Sequence, residues 1–164
     1  THMTYPFEDL CREIQQAALA RNVTVATAES CTGGRVAGAL VSIDGASKYV
    51  YGGIVAYNDD IKHAVLGVSK ETLAQHTAVS AEVCREMCLG VQRVMGVTCS
   101  VATTGYASGT GLPPELAGLV YIGVCSHGDV HVESMRVSGE RNANINQIIE
   151  KVLTLLKTRL NSSF

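Results

Sequence analysis

The spacing of apolar positions along the chain predicts eleven elements. Residues 7–20 read as a helix, and the β-branched run Val23–Ala28 as a strand. Between Gly33 and Ser42 the apolar residues return to helical spacing, with Val36, Leu40 and Ile43 on one side. Tyr49–Tyr57 predicts a second strand. Asn58 is suited to cap a short helix after it, with Asp59 and Asp60 placed where the helix dipole favours anions. Ser69, or a polar residue near it, starts a further short helix over residues 70–75. Ser80 is the expected N-cap of a helix reaching Met95, with Glu82 in its first turn and Val83, Met87, Val91 and Val94 as its apolar stripe. Cys99–Thr103 is a third strand. Leu119–Cys125 and Val130–Val137 follow as strands joined by the turn Ser126-His127-Gly128-Asp129, a hairpin. In the second of these, Val130 and Val132 share one face while Met135 and Val137 share the other. That change of parity predicts a bulge or two buried faces. A last helix runs from Arg141 to Leu160, with Ile145, Ile148, Ile149, Val152, Leu155 and Leu156 inward.

The order α β α β α α α β β β α implies a mixed, partly parallel sheet covered by helices on both faces, a three-layer α/β/α arrangement. Length and composition narrow the picture. The chain has 164 residues, enough for one domain with its own core. Residues 4–164 read as that single domain, and Thr1-His2-Met3 as an expression scar. With 46% apolar and 17% charged residues, intrinsic disorder is excluded. A net charge of −2 gives no reason to expect nucleic acid or an anionic membrane as partner. The longest apolar runs, Val50–Tyr57 and Leu116–Cys125, fall short of the ~18 residues that suggest a bilayer span. No secretory signal is evident, so the expected location is cytoplasmic. The six cysteines form no CxxC pair and read as reduced, buried thiols. Cys84 and Cys88 share a helix face. A metal there needs further ligands from His63, His76, His127 or His131, and nothing has compact ligand spacing.

Three unusual loops each follow a predicted strand, where open α/β sheets gather ligands. The first is Glu29-Ser30-Cys31-Thr32-Gly33-Gly34. Its glycines allow a tight turn, and the helix start offers free amides to a phosphate or an oxyanion. Ser30 sits where its hydroxyl can act as a nucleophile, and Ser30 or Thr32 as a simple helix cap reads equally well. The second loop ends the strand at Tyr57 and places Lys62 one turn into the next helix, off the side of Ile61 and Val65. A lysine near a serine hydroxyl serves as its general base once its pKa is lowered, and Tyr57 can relay a proton or orient the substrate. The third, Thr103–Gly111, is rich in hydroxyls and glycine. Arg141, near the start of the last helix, is suited to grip a phosphate bidentately.

Taken in order, Ala28-Glu29-Ser30-Cys31-Thr32-Gly33-Gly34, Gly52-Gly53-Ile54-Val55-Ala56-Tyr57, Lys62, Leu66-Gly67-Val68, Ala78-Val79-Ser80 and Thr104-Gly105 resemble the C-terminal domain of the CinA family of competence/damage-inducible proteins. The resemblance covers residues 8–158. Stand-alone bacterial members of that family include nicotinamide-nucleotide amidases. The resemblance therefore implies hydrolysis of the carboxamide of nicotinamide mononucleotide to nicotinate mononucleotide and ammonia. It implies Ser30 as nucleophile assisted by Lys62 and Tyr57; the backbone amides of Cys31, Thr32, Gly33 and Gly34 are the oxyanion donors that the loop itself offers. Thr104 and Gly105 would line the substrate site, and Arg141 would hold the phosphate; Ser108, where the loop departs from the family, still offers a hydrogen bond to a ligand. A three-layer fold, a homodimer and no metal or organic cofactor are also implied. The family's third loop runs Thr-Gly-Ile-Ala-Gly-Pro; here it runs Thr104-Gly105-Tyr106-Ala107-Ser108-Gly109. That departure gives the competing expectation: a catalytically inactive or altered-specificity nucleotide-binding or regulatory module on the same fold. A purely structural dimer module is a third reading.

Overall fold

The computed structural model describes residues 3–162. Five strands form one mixed sheet: β1 (Val25–Glu29), β2 (Val50–Val55), β3 (Cys99–Gly105), β4 (Leu119–Ser126) and β5 (Asp129–Arg136), in the spatial order β2-β1-β3-β4-β5. β1 pairs in parallel with both β2 and β3, and β4 runs antiparallel to β3 and β5. Period-2 alternation divides the sheet's two faces. Val25, Cys99, Val101, Val120, Ile122 and Val124 face one layer, formed by α1 (Glu8–Ala20), α2 (Arg35–Val41) and α6 (Arg141–Leu160). Ala26, Ala28 and Ala102 face the other, where α5 (Ala81–Met95) presents Val83, Cys84, Met87, Cys88 and Val91. The short helices α3 (Asp59–Leu66) and α4 (Lys70–His76) complete that second layer beside α5. No helix among the described residues is long and apolar enough to cross a membrane.

The expected caps form. Asn58 accepts from the Asp60 amide at 2.7 Å, Ser69 from Glu71 and Thr72, and Ser80 from Val83 at 3.2 Å. His127 and Gly128 both take positive φ, 51° and 84°, so the β4–β5 hairpin closes in two residues. The parity change in β5 has its cause in burial and not in a bulge. The β4–β5 register is continuous, Val130 and Val132 pack toward the α5 layer, and Met135 and Val137 toward the α1–α6 layer. Several boundaries move. β1 runs from Val25 to Glu29 because its parallel ladder with β3 continues to Glu29 and Thr103; β3 runs on to Gly105 because it still pairs antiparallel with β4 there; and β2 is shorter than predicted, Val50–Val55. A 3₁₀ turn at Ala46–Lys48 has no counterpart in the apolar pattern. Of the predicted expression scar, Thr1 and His2 lie outside the described residues, and Met3 is exposed.

The buried side of α3 carries Lys62 and Leu66, whereas Ile61 and Val65 are exposed. Both pairs have helical spacing, so the period alone does not choose between them. The packing of α3 on α5 does.

Candidate active site

From β1 the chain leaves through α2 toward β2 on one side, then crosses back to β3 on the other. The carboxyl ends of β1, β2 and β3 therefore surround a point where successive connections diverge, the usual place for a ligand crevice. Ser30 is the first residue beyond β1. Its amide donates to the Thr103 carbonyl at 3.0 Å, so its backbone is held as a continuation of the β1–β3 ladder. Gly33 and Gly34 take φ of 58° and 91°, which carries the chain sharply into α2.

Neither Ser30 nor Thr32 caps that helix; Glu29 does. Its carboxylate is 1% exposed and accepts four hydrogen bonds: Thr32 Oγ1 at 2.6 Å, Thr27 Oγ1 at 3.0 Å, and the Val36 and Ala37 amides at 2.9 Å each. The positive end of α2 is thus neutralised by the protein's own anion and is not open to a ligand. Thr32 Oγ1 also lies 2.8 Å from Thr103 Oγ1, which ties the turn to β3. Nothing in the spacing of the chain singled out Glu29. A strand-end acid ordinarily faces water, and its burial became legible only with the helix start folded over it.

Lys62 reaches this turn from α3. It is 1% exposed, and its Nζ donates to Ser30 Oγ at 3.0 Å and to the Tyr57 carbonyl at 3.3 Å, with Asp59 Oδ1 at 3.7 Å. Burial draws the Lys62 pKa below its ordinary 10.5, while Asp59 and Cys31 work in the opposite direction. The neighbouring Cys31 thiol is pushed up to about 11 by burial, partly offset by a hydrogen bond with Thr103, so it stays protonated at neutral pH. Of the two adjacent side chains, Ser30 is the one hydrogen-bonded to the Lys62 amine.

The far side of the same cleft is built from the other loops. Thr104 is buried and donates to the Ala78 carbonyl at 2.7 Å, which joins the end of β3 to the approach of α5. Arg141, the first residue of α6, donates to Ser108 Oγ at 3.4 Å and to the Tyr57 hydroxyl at 3.3 Å. Tyr57 therefore splits its duties. Its carbonyl holds Lys62, while its ring, 63% exposed, stands at the mouth with Arg141. Asn144, fully buried, donates to the Ala107 and Gly139 carbonyls and accepts from the Gly139 amide. It clamps the third loop to the start of α6. Like Glu29 and Asp59, it was missed in the sequence.

Ser30, Cys31, Tyr57, Lys62, Thr104, Gly105, Ser108 and Arg141 line one cleft of about 450 Å³. Thr32, Gly33 and Gly34 do not; they shape the turn behind it. The amides of Gly33, Val36 and Ala37 are already engaged, so the wide amide cradle expected at the helix start shrinks to the edge formed by Cys31. The Cys84–Cys88 pair gains no further ligand: among the described residues no group of three His, Cys, Asp or Glu is placed to hold a metal ion.

Known proteins share this fold. The family model described as the CinA C-terminal domain matches residues 7–160. A competence-damage inducible protein of Clostridium acetobutylicum is 37% identical over 141 residues, 85% of this chain and 34% of that protein. A CinA-like protein of Leptospira borgpetersenii is 41% identical over 117 residues, 71% of this chain and 28% of its own length. The chain thus spans about a third of the length of these curated relatives. Among solved structures, the competence/damage inducible protein CihA of Agrobacterium tumefaciens superposes with a TM-score of 0.90 at 34% identity, covering 99% of both chains. Competence damage-inducible protein A of Klebsiella pneumoniae gives 0.90 at 31% identity, covering 95% of this chain and 98% of that one. With matching family, matching fold and the motif residues gathered at one cleft, the chain belongs to the CinA C-terminal domain family.

Proposed function

We propose that this chain is an amidohydrolase acting on the carboxamide of nicotinamide mononucleotide. The observation that carries the reading is the 3.0 Å contact between Ser30 Oγ and a lysine amine that is almost wholly withdrawn from water. In its neutral form Lys62 accepts the Ser30 proton as Oγ bonds to the carboxamide carbon. The developing oxyanion lies toward the Cys31 amide at the cleft edge. Lys62 then returns its proton to the amide nitrogen, the C–N bond breaks, and ammonia leaves an acyl-Ser30. Water, deprotonated by Lys62, attacks the acyl carbon; the ester bond breaks and Ser30 recovers its proton. Arg141 holds the phosphate, so that binding energy far from the carboxamide orients it. A homodimeric state, which rests on the family resemblance, and a cytoplasmic location, which rests on six buried, unpaired cysteines, belong to the same proposal.

The test is ammonia release from nicotinamide mononucleotide. The Ser30→Ala change is made in a Cys31→Ala background, because the adjacent thiol can stand in for the hydroxyl. The double variant is expected to lose at least about 10³-fold relative to Cys31→Ala alone. Equal rates in the two would reject Ser30 as nucleophile. The second reading, a nucleotide-binding module without turnover, is favoured by one observation: Ser108, which departs from the family loop, already engages Arg141. It predicts nucleotide affinity with no ammonia.

A further inference from the structure

Asp59 is the first residue of α3. Its side chain is 62% exposed and borders the cleft, whereas its partner Lys62 is buried one turn further on. The two meet at 3.7 Å. Other charged or titratable groups near Lys62 are occupied elsewhere or neutral. Glu29 of β1 is turned into the start of α2. Cys31 stays a thiol at neutral pH and is the smallest of the influences on Lys62, felt only as it ionises. Tyr57 presents its carbonyl, and its hydroxyl lies with Arg141 of α6. On α5, Glu82 pairs with His76, Glu86 accepts from Ser69 and Thr72, and Arg93 donates to the Leu66 carbonyl. On α3 itself His63 bonds the Val68 carbonyl, and Asp60 is exposed.

We propose that Asp59 is a positioning residue for the Ser30–Lys62 pair: its carboxylate holds the proton on Lys62 and so fixes the pH at which the amine becomes free to accept one. The inference deepens the amidase reading and rests on it for its catalytic meaning. The physics is a balance. A lysine taken out of water favours the neutral amine, and a carboxylate a few ångströms away favours the ammonium. As a base the amine gains proton affinity from the carboxylate; as an acid the ammonium gains strength from burial. The reaction asks Lys62 to be both, first taking the Ser30 proton and then giving it to the leaving nitrogen. Asp59 sits where it stabilises the intervening ammonium without closing the cleft. Burial is the larger of the opposing influences on Lys62 and Asp59 the next, which agrees with the geometry.

The experiment follows the Lys62 side chain directly, by ¹³Cε NMR of lysine-labelled protein titrated without substrate, with Lys62→Met used only for assignment. Asp59→Asn is compared with Asp60→Asn, which removes the same charge from the same helical turn. The expected result is that Asp59→Asn moves the Lys62 midpoint to lower pH by roughly 0.5–1 unit, and that Asp60→Asn moves it by less than half as much. The ascending limb of the pH–rate profile for ammonia release is expected to shift with it in the same direction. Equal midpoints in wild type and Asp59→Asn, or equal shifts in the two variants, would overturn the proposal. An NMR shift in a protein that releases no ammonia would uphold the assignment of Asp59 and remove the amidase reading instead.

Discussion

At the scale of single residues, Lys62 links stability to chemistry. Its amine is buried at a cost, because water solvates the ammonium better than Ser30 Oγ and the Tyr57 carbonyl do. The sign of the pH dependence follows. Burial lowers the Lys62 pKa in the folded state, so over the window from that lowered value to the ordinary lysine value the unfolded chain binds more protons. Stability therefore rises with pH across that window, and below it the full cost of burying the ammonium is felt. Lys62→Met removes the titration. We expect this variant to be at least as stable as wild type at pH 7, by about 1 kcal/mol, with the gap narrowing as pH approaches 10. Ammonia release is expected to fall by roughly 10²–10⁴-fold. Paired urea denaturation at several pH values checks the first part, and a pH-independent gap would refute it. Position after strand ends made Ser30 and Lys62 candidates and the family resemblance paired them; the two meet at 3.0 Å. Sequence spacing missed Glu29, whose role depends on two helix amides that exist only once α2 has docked.

At the scale of elements, the apolar pattern located every α-helix and strand of the described residues, since strand and helix periods differ and Asn58, Ser69 and Ser80 mark the helix starts. It did not say which face of α3 is buried, because that is decided by a neighbour distant in sequence. The neighbour is α5, and its decisive residue is Gly90. A Cβ at Gly90 would run into the backbone carbonyl of Leu66, at the end of α3. The two helices thus approach as closely as they do only because Gly90 has no side chain. The same Leu66 carbonyl accepts from Arg93 at 3.2 Å, which fixes the position of α3 further. Gly90→Ala has to push α3 away from α5, and Lys62 travels with it. We expect a loss of about 2–3 kcal/mol, on the order of 5–10 °C in Tm, by scanning calorimetry. Ammonia release is expected to fall in the protein that remains folded, because a 3.0 Å contact made from a displaced helix is lengthened. A variant with unchanged Tm would show that the two helices accommodate a methyl group, and would remove this explanation for the burial of Lys62.

At the scale of the whole molecule, the cleft has two ends carried by different parts of the fold. Ser30 and Lys62 come from the parallel half of the sheet and its crossovers, whereas Arg141 and Ser108 come from α6 and the loop before β4. Asn144 joins the second set internally, and the Arg141–Tyr57 contact bridges the two. Such a division separates binding from chemistry and makes them testable apart. If Arg141 grips the phosphate, its contribution is realised only with a substrate that carries one. Arg141→Ala is then expected to reduce kcat/KM for nicotinamide mononucleotide by about 10–100-fold, the worth of a charge-assisted contact of 1.5–3 kcal/mol. For nicotinamide riboside, which lacks the phosphate, the same change is expected to matter less than about threefold, within the range of a surface substitution. Steady-state ammonia release on both substrates with both proteins gives the four values needed. Equal losses on the two substrates would mean that Arg141 acts by supporting Tyr57 and Ser108, and the anion end of the site would then have to be sought elsewhere in the cleft. A loss confined to the phosphorylated substrate would place the phosphate at Arg141 and leave the Ser30–Lys62 end to act on the carboxamide alone.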